Sequence, residues 1–529
     1  MTAGPDEAPP APAPRDMAKT TKPRIIRKMG CLERYQAALH ALDMYYGTSI
    51  ACVYRIPQRL ASASQAEVEG SVHSAIARTV LQHPVLQVGI YGETSRKPAY
   101  VQLDTVDLKR HVQWKTAETG EDFEGYALRL LQEQIDTKFS ELETRPPWRI
   151  TVLRQKGSRD LQINFVWHHA LADGMSGKIF HQTLLGHLTS DDDDRGGRAS
   201  TESLVLDVAG AAKRFHPPQE KMVKYRVSMG YTLSTLWKDI LPSTPGSASH
   251  QLLAHWAPLE LEPPKTDIYR VRLNNERLQV VLAACREHNT TLTGLLHAIM
   301  VVAVSSSVSQ SRSPGFIAKT AMNMRVLTPE SPNLVPRETM GDIVSVTGHT
   351  FAPETVTKIR NQVIKVGASH YSGQDRRGPV AEVIWPTATT VRDEIKKALS
   401  SGVKDNIIGL MSFVPDWRQY NKSTAKKPRE VAWVITNLGV IDGGAAAAEA
   451  NGRGNDGDED RWHIEEASFS INGQTTGAAI SLCAIAVKHR DLALDFCFQR
   501  DLIASDTAAG VARTVEDWLT YFGTEGGQM

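Results

Sequence analysis

His168 and His169, with Asp173 four positions after the second histidine and Gly174 next, are the residues of this chain best suited to do chemistry. They follow a run, 161–167, in which Leu161, Ile163, Phe165 and Trp167 alternate with other residues and so share one face of a strand. Adjacent residues at a strand end point in opposite directions. A histidine held there can take a proton from an alcohol or amine, because its ordinary pKa is roughly 6.5. If the acyl donor is a thioester, it is already activated and no covalent enzyme intermediate is needed. His169 then serves as general base while the new bond forms, a contribution of about 10²–10⁴-fold. The departing thiolate takes the proton afterwards. Asp173 has two roles open to it: orienting the imidazole, or pairing with an arginine and fixing the loop. Gly174 permits a backbone geometry that other residues resist.

The same residues have plainer readings. A histidine pair near an aspartate also occurs in loops as a satisfied structural group. His168, His169 and Asp173 are all metal-ligand types, but no cysteine and no third histidine cluster lies close in sequence, so no metal is expected. The segment Gly174-Met175-Ser176-Gly177-Lys178 lacks the glycine two residues after serine that a hydrolase nucleophile turn needs. The five cysteines, Cys31, Cys52, Cys285, Cys483 and Cys497, are scattered and distant from the motif, which suits reduced cytosolic thiols rather than a disulfide frame or a thiol mechanism.

The elements that must position the motif are legible around it. Residues 148–154 and 161–167 alternate about a Lys-Gly-Ser-Arg-Asp loop and predict a hairpin. The motif then leads into a helix over 178–188. Residues 65–82 keep a 3.6-residue apolar period and stop at His83-Pro84. Strands are expected at 50–56, 85–91, 315–324, 432–438 (ending at Gly439), 463–471, 478–487 and 492–499. Helices are expected at 32–46, 219–241, 275–288, 293–304 and 511–519. Interspersed strands and helices define an α/β class.

At 529 residues the chain exceeds what one core accommodates. The expected organisation is a disordered Pro/Ala-rich tail over 1–22, an N-terminal unit over 23–240 carrying the motif, a linker over 241–264 and a C-terminal unit over 265–529. Residues 191–200 read as an acidic loop, and 443–460 as a low-complexity surface insertion. With 60 basic against 59 acidic residues, the formal charge of +1 gives no electrostatic case for nucleic acid or an anionic membrane. No secretory signal opens the chain, so a cytoplasmic location is expected. The longest apolar run, 292–308, reads as a buried helix rather than a span. The apolar face of 219–241 suits either the seam between the units or peripheral contact with a lipid droplet or the endoplasmic reticulum.

The chain resembles the fungal alcohol acetyltransferase family over roughly residues 24–520. The residues that carry this are Gly30-Cys31-Leu32-Glu33-Arg34-Tyr35, His83-Pro84-Val85-Leu86, the His168–Gly177 segment, Asn323-Met324-Arg325, Met340-Gly341-Asp342, Thr436-Asn437-Leu438-Gly439 and Phe469-Ser470. Asp342 stands where the family more usually has asparagine, and the DFGWG motif of the plant branch is absent. The resemblance implies two similar mixed-sheet domains of the chloramphenicol-acetyltransferase type with an active-site tunnel between them. It implies His169 as base, and Asp173 as a structural acid salt-bridged to an arginine, for which Arg325 is the candidate. Asn437 and Gly174 are candidates for the oxyanion or tunnel region, and Lys422, Lys426, Lys427 and Arg429 for the CoA phosphate. It implies acetyl-CoA as co-substrate with no permanently bound cofactor, an alcohol acceptor, and a monomer. The expected activity is O-acetyl transfer to a small alcohol or a secondary-metabolite hydroxyl. The alternatives are an N-acyl or condensation-type reaction on an amine, and a non-catalytic binding protein on the same fold.

Overall fold

The hairpin Trp148–Gln155 and Asp160–Trp167 forms with Ile150 opposite Phe165 and Val152 opposite Ile163. It lies in a five-stranded sheet ordered His463–Ile471, Thr48–Arg55, Asp160–Trp167, Trp148–Gln155, Val112–Ala117. All neighbours are antiparallel except the last pair. The structure, a computed structural model, describes residues 22–524 apart from 119, 121, 191–203, 241–246, 248, 261, 333, 369–377 and 445–460. The expected tail, the acidic loop and most of the low-complexity insertion therefore lie outside the described residues.

The helix Gly174–Thr189 is clamped on this sheet by aromatic stacking. The Phe180 ring lies 3.9 Å from Phe165, which stacks in turn on Trp167 at 4.9 Å. Gly177 makes the close approach possible, since a Cβ there would sit 2.4 Å from the Trp167 ring. The helix Gln65–Gln82 packs alongside and opens with a reciprocal cap. The Glu67 amide donates to Ser64 Oγ, and the Ser64 amide donates to Glu67 Oε2 at 2.7 Å.

A second sheet has six strands, ordered Thr266–Leu273, Leu492–Gln499, Ile480–Val487, Val431–Ile441, Phe316–Asn323, Val344–Phe351. The pairs around Val431–Ile441 are parallel and the others antiparallel. The long apolar run is the helix Leu292–Ser307, buried in the second core with Trp433, Phe316 and Phe522. No single helix among the described residues is long and apolar enough to cross a membrane.

Three sequence expectations change. The strand His463–Ile471 belongs to the first sheet, antiparallel to Thr48–Arg55, so the division at 241–264 does not separate the two sheets. The strand expected to end at Gly439 continues to Ile441. Gly439 adopts φ +67°, and the register with the neighbouring strand shifts there, as in a bulge. The helix expected over 219–241 is two helices, Gln219–Met222 and Met229–Ile240. The intervening chain is extended, and Arg226 bridges to Lys404.

Candidate active site

The motif occupies the loop between Asp160–Trp167 and the helix Gly174–Thr189. Asp173 is that helix's N-cap: the Ser176 amide donates to Asp173 Oδ1 at 2.9 Å. The structure brings Arg325 to the same carboxylate as a two-pronged pair, Nη1 to Oδ2 at 2.7 Å and Nη2 to Oδ1 at 3.0 Å. The Ile343 amide donates to Oδ2 at 3.0 Å. Arg325 also donates to the Thr339 and Gly341 carbonyls. Burial pushes the Asp173 pKa up, but Arg325 and these amides outweigh it and hold it below the ordinary carboxylate value. Asp173 therefore ties the first half to the 339–343 segment of the second, and the imidazole is left to another partner.

That partner is Asp342. His169 Nδ1 lies 3.6 Å from Asp342 Oδ1; the Asp342 side chain is fully buried and that of His169 is 18% exposed. Burial, the largest single influence, pulls the His169 pKa down, but the charge and hydrogen bonding of Asp342 together with the Asp173 charge outweigh it, and the net direction is up. Burial raises the Asp342 pKa against the pull of the same ring. Beside His169 lies a cavity of about 60 Å³. It is walled by Tyr35, Leu39, Met44 and Tyr45 from the first half and by Gln474 and Thr476 from the second.

His168, grouped with His169 as catalytic from the sequence, points the other way into a buried cluster. Its Nδ1 accepts from the Ala170 amide at 2.9 Å, which leaves the proton on Nε2 to be donated to Glu93 Oε1 at 3.0 Å. His40 mirrors it. Nε2 accepts from the Phe139 amide at 3.2 Å, and Nδ1 donates to the same Glu93 oxygen at 2.7 Å. Burial, aided by the His168 ring, pushes His40 down to about 4. Burial works against Glu93, but the two donated hydrogen bonds hold it down at about 2. The three ligand-type atoms lie within 4.8 Å of one another. A cation would need lone pairs on the two nitrogens that carry protons, and moving those protons would set them against backbone N–H donors. The residues do not fit a metal. They form a hydrogen-bonded lock behind the loop.

The remaining candidates separate as follows. Gly174 lies on a helical backbone and is required by close approach, since a Cβ would meet Leu438 at 2.9 Å and Phe469 at 3.0 Å. The Asn437 amide serves its own neighbourhood, donating to Thr293 Oγ1 at 3.1 Å and accepting from the Gly439 amide at 2.9 Å. Arg429 is buried, and its guanidinium donates to the carbonyls of Ala257, Pro258, Gln474, Thr475, Gly477 and Ala478. It stitches the cavity wall and has no direction left for a phosphate. Lys422, Lys426 and Lys427 are exposed on and after the helix Trp417–Thr424. Sequence reading missed His40, Glu93, Gln474 and Thr476. The one advance signal at Asp342 was an aspartate in place of the usual asparagine.

Two mixed sheets joined by an exchanged strand, with a histidine facing a carboxylate where the halves meet, define an α/β acyltransferase. Residues 28–513 match the alcohol acetyltransferase family, and the chain belongs to it. It is similar to the probable alcohol acetyltransferase FCK4 of Fusarium pseudograminearum, 27% identical and covering 95% of this chain and 96% of that one. It is also similar to the probable alcohol acetyltransferase crmB of Aspergillus fumigatus, at 23% identity over 90% of this chain and 95% of that one. Among solved structures, the fold matches the TRI3 trichothecene 15-O-acetyltransferase of Fusarium sporotrichioides with a TM-score of 0.65, 12% identity and 94% coverage of both chains.

Proposed function

We propose that the chain transfers acetyl from acetyl-CoA to a hydroxyl of a secondary metabolite, with His169 as general base. The observation that carries this is the His169 ring at the seam between the halves, Nδ1 turned to a buried carboxylate and the ring bordering the cavity. His169 Nε2 takes the hydroxyl proton as the oxygen bonds to the thioester carbon. The tetrahedral adduct collapses, the C–S bond breaks, and the departing thiolate takes the proton back from Nε2. The cavity wall mixes the apolar Leu39 and Met44 with the rings of Tyr35 and Tyr45 and the polar Gln36, Gln474 and Thr476, which suits an acceptor that carries polar groups as well as apolar surface. Lys422, Lys426 and Lys427 are our candidates for the CoA phosphate. The helix Trp417–Thr424, which carries Lys422 and is followed by the other two, packs on the cavity through Trp417, whose ring lies 5.0 Å from that of Tyr35. The protein acts as a monomer in the cytoplasm without a resident cofactor. Met229 and Leu233, exposed on their helix, are the side chains that would meet a lipid droplet.

The test is thiol release from acetyl-CoA with a panel of alcohols, wild type beside His169→Ala. We expect acceptor-dependent release that falls by about 10²-fold or more in the variant. Release that survives the substitution removes His169 from the mechanism.

A further inference from the structure

Asp342 is an anomaly in conventional packing. Both of its oxygens are buried without a hydrogen-bond donor. Carboxylates are not ordinarily buried without a partner. Among the described residues, the basic nitrogen paired with it is His169 Nδ1, which is also buried and makes no close hydrogen bond to another residue; the ring's own backbone also favours a proton on this histidine. At 3.6 Å the two stand a few tenths of an ångström beyond a hydrogen bond, and catalytic hydrogen bonds commonly tighten only when substrate is bound. The other charged groups near this pair are already engaged. Asp173 is neutralised by Arg325 and Glu33 by Arg27. Tyr45 and Tyr100 are phenols that burial keeps protonated. His216, packed against Gly341, is pushed down to about 4 chiefly by burial and carries no charge to offset it, and among the described residues Asp342 has no ion-pair partner besides His169.

We propose that Asp342 is a positioning residue for catalysis, forming a dyad with His169 across the two halves. Its carboxylate fixes the proton on Nδ1, leaves the Nε2 lone pair free for the acceptor, and stabilises the imidazolium formed when Nε2 takes the acceptor's proton. This rests on the reading of His169 as the base.

Asp342→Asn in the full chain keeps the shape and removes the charge. With a turned-over alcohol, we expect kcat to fall by about 10²-fold or more, while KM for acetyl-CoA changes less than about twofold. The acidic limb of the kcat/KM profile should move roughly one unit to lower pH, because the imidazole loses the anion that raised it. A second readout needs no turnover: the pH dependence of diethyl pyrocarbonate modification at His169, followed by mass spectrometry. Its midpoint should fall in the same direction. The variant should melt no lower than wild type, since an uncharged amide replaces an unpartnered buried carboxylate. An unchanged modification midpoint in a folded variant overturns the dyad. So does an unchanged rate profile. If the wild type turns over no alcohol but the midpoint shifts, the dyad stands and the acetyltransferase reading fails.

Discussion

The Asp173–Arg325 pair gives one motif residue a structural task, joining the two halves, in place of contact with the imidazole. Both side chains are almost fully buried, so removing one leaves the other's charge uncompensated, at a cost of about 3–5 kcal/mol. Arg325→Ala should therefore lower the denaturation midpoint sharply and lose activity together with stability, as urea unfolding and a parallel activity assay will show. Asp342→Asn should separate the two properties, losing activity at undiminished stability. The motif announced His169, Asp173 and, through the resemblance, Arg325. It could not announce which carboxylate faces the imidazole, because that contact joins segments distant in the chain. Nor could composition show that Arg429 is spent on six backbone carbonyls rather than left in solvent with the neighbouring lysines.

At the scale of elements, the helix Gly174–Thr189 offers a paired test. Gly177 sits against Trp167, whereas nothing lies within 4 Å of a Cβ at Gly186. Gly177→Ala should destabilise by about 1–3 kcal/mol through overpacking. Gly186→Ala should stabilise by up to about 1 kcal/mol, because alanine is the better helix former. Thermal melts of the two variants should move in opposite directions. Periodicity located the elements it was suited to find. Residues 65–82 form a helix with the expected bounds, and the three late strands lie close to theirs. It passed over Thr266–Leu273 and Val344–Phe351, where charged and polar residues interrupt the apolar pattern. The long helix Gly378–Ser401, with Pro386 inside it, was missed as well. It merged Gln219–Met222 with Met229–Ile240 because the apolar spacing runs on through the extended link.

Across the whole molecule, buried histidines set the response to acid. His40, His83, His111, His181 and His216 are all pushed down to about 4, chiefly by burial. Unfolded, each titrates near roughly 6.5. Between these values the unfolded chain binds protons that the folded one refuses, so stability falls as pH drops from about 6.5 to 4. Asp173 acts in the same sense at lower pH. Its folded pKa is depressed, so its contribution is present above roughly pH 3.9 and is lost as pH falls through the folded value. Melting temperature followed against pH should decline steeply over the upper window. Neither the number of histidines nor their spacing discloses this, because it depends on burial at packed positions.

The strand His463–Ile471 has a consequence for how the protein is made. On the ribosome, the strand Thr48–Arg55 emerges early, while its antiparallel partner appears only when nearly the whole chain has been synthesised. Until then the nascent first sheet presents an unpaired edge, the kind of surface that seeds association between chains. A chain terminated before residue 463 should accumulate as aggregate, and the full-length protein should gain soluble yield when synthesis is slowed or a chaperone covers that edge.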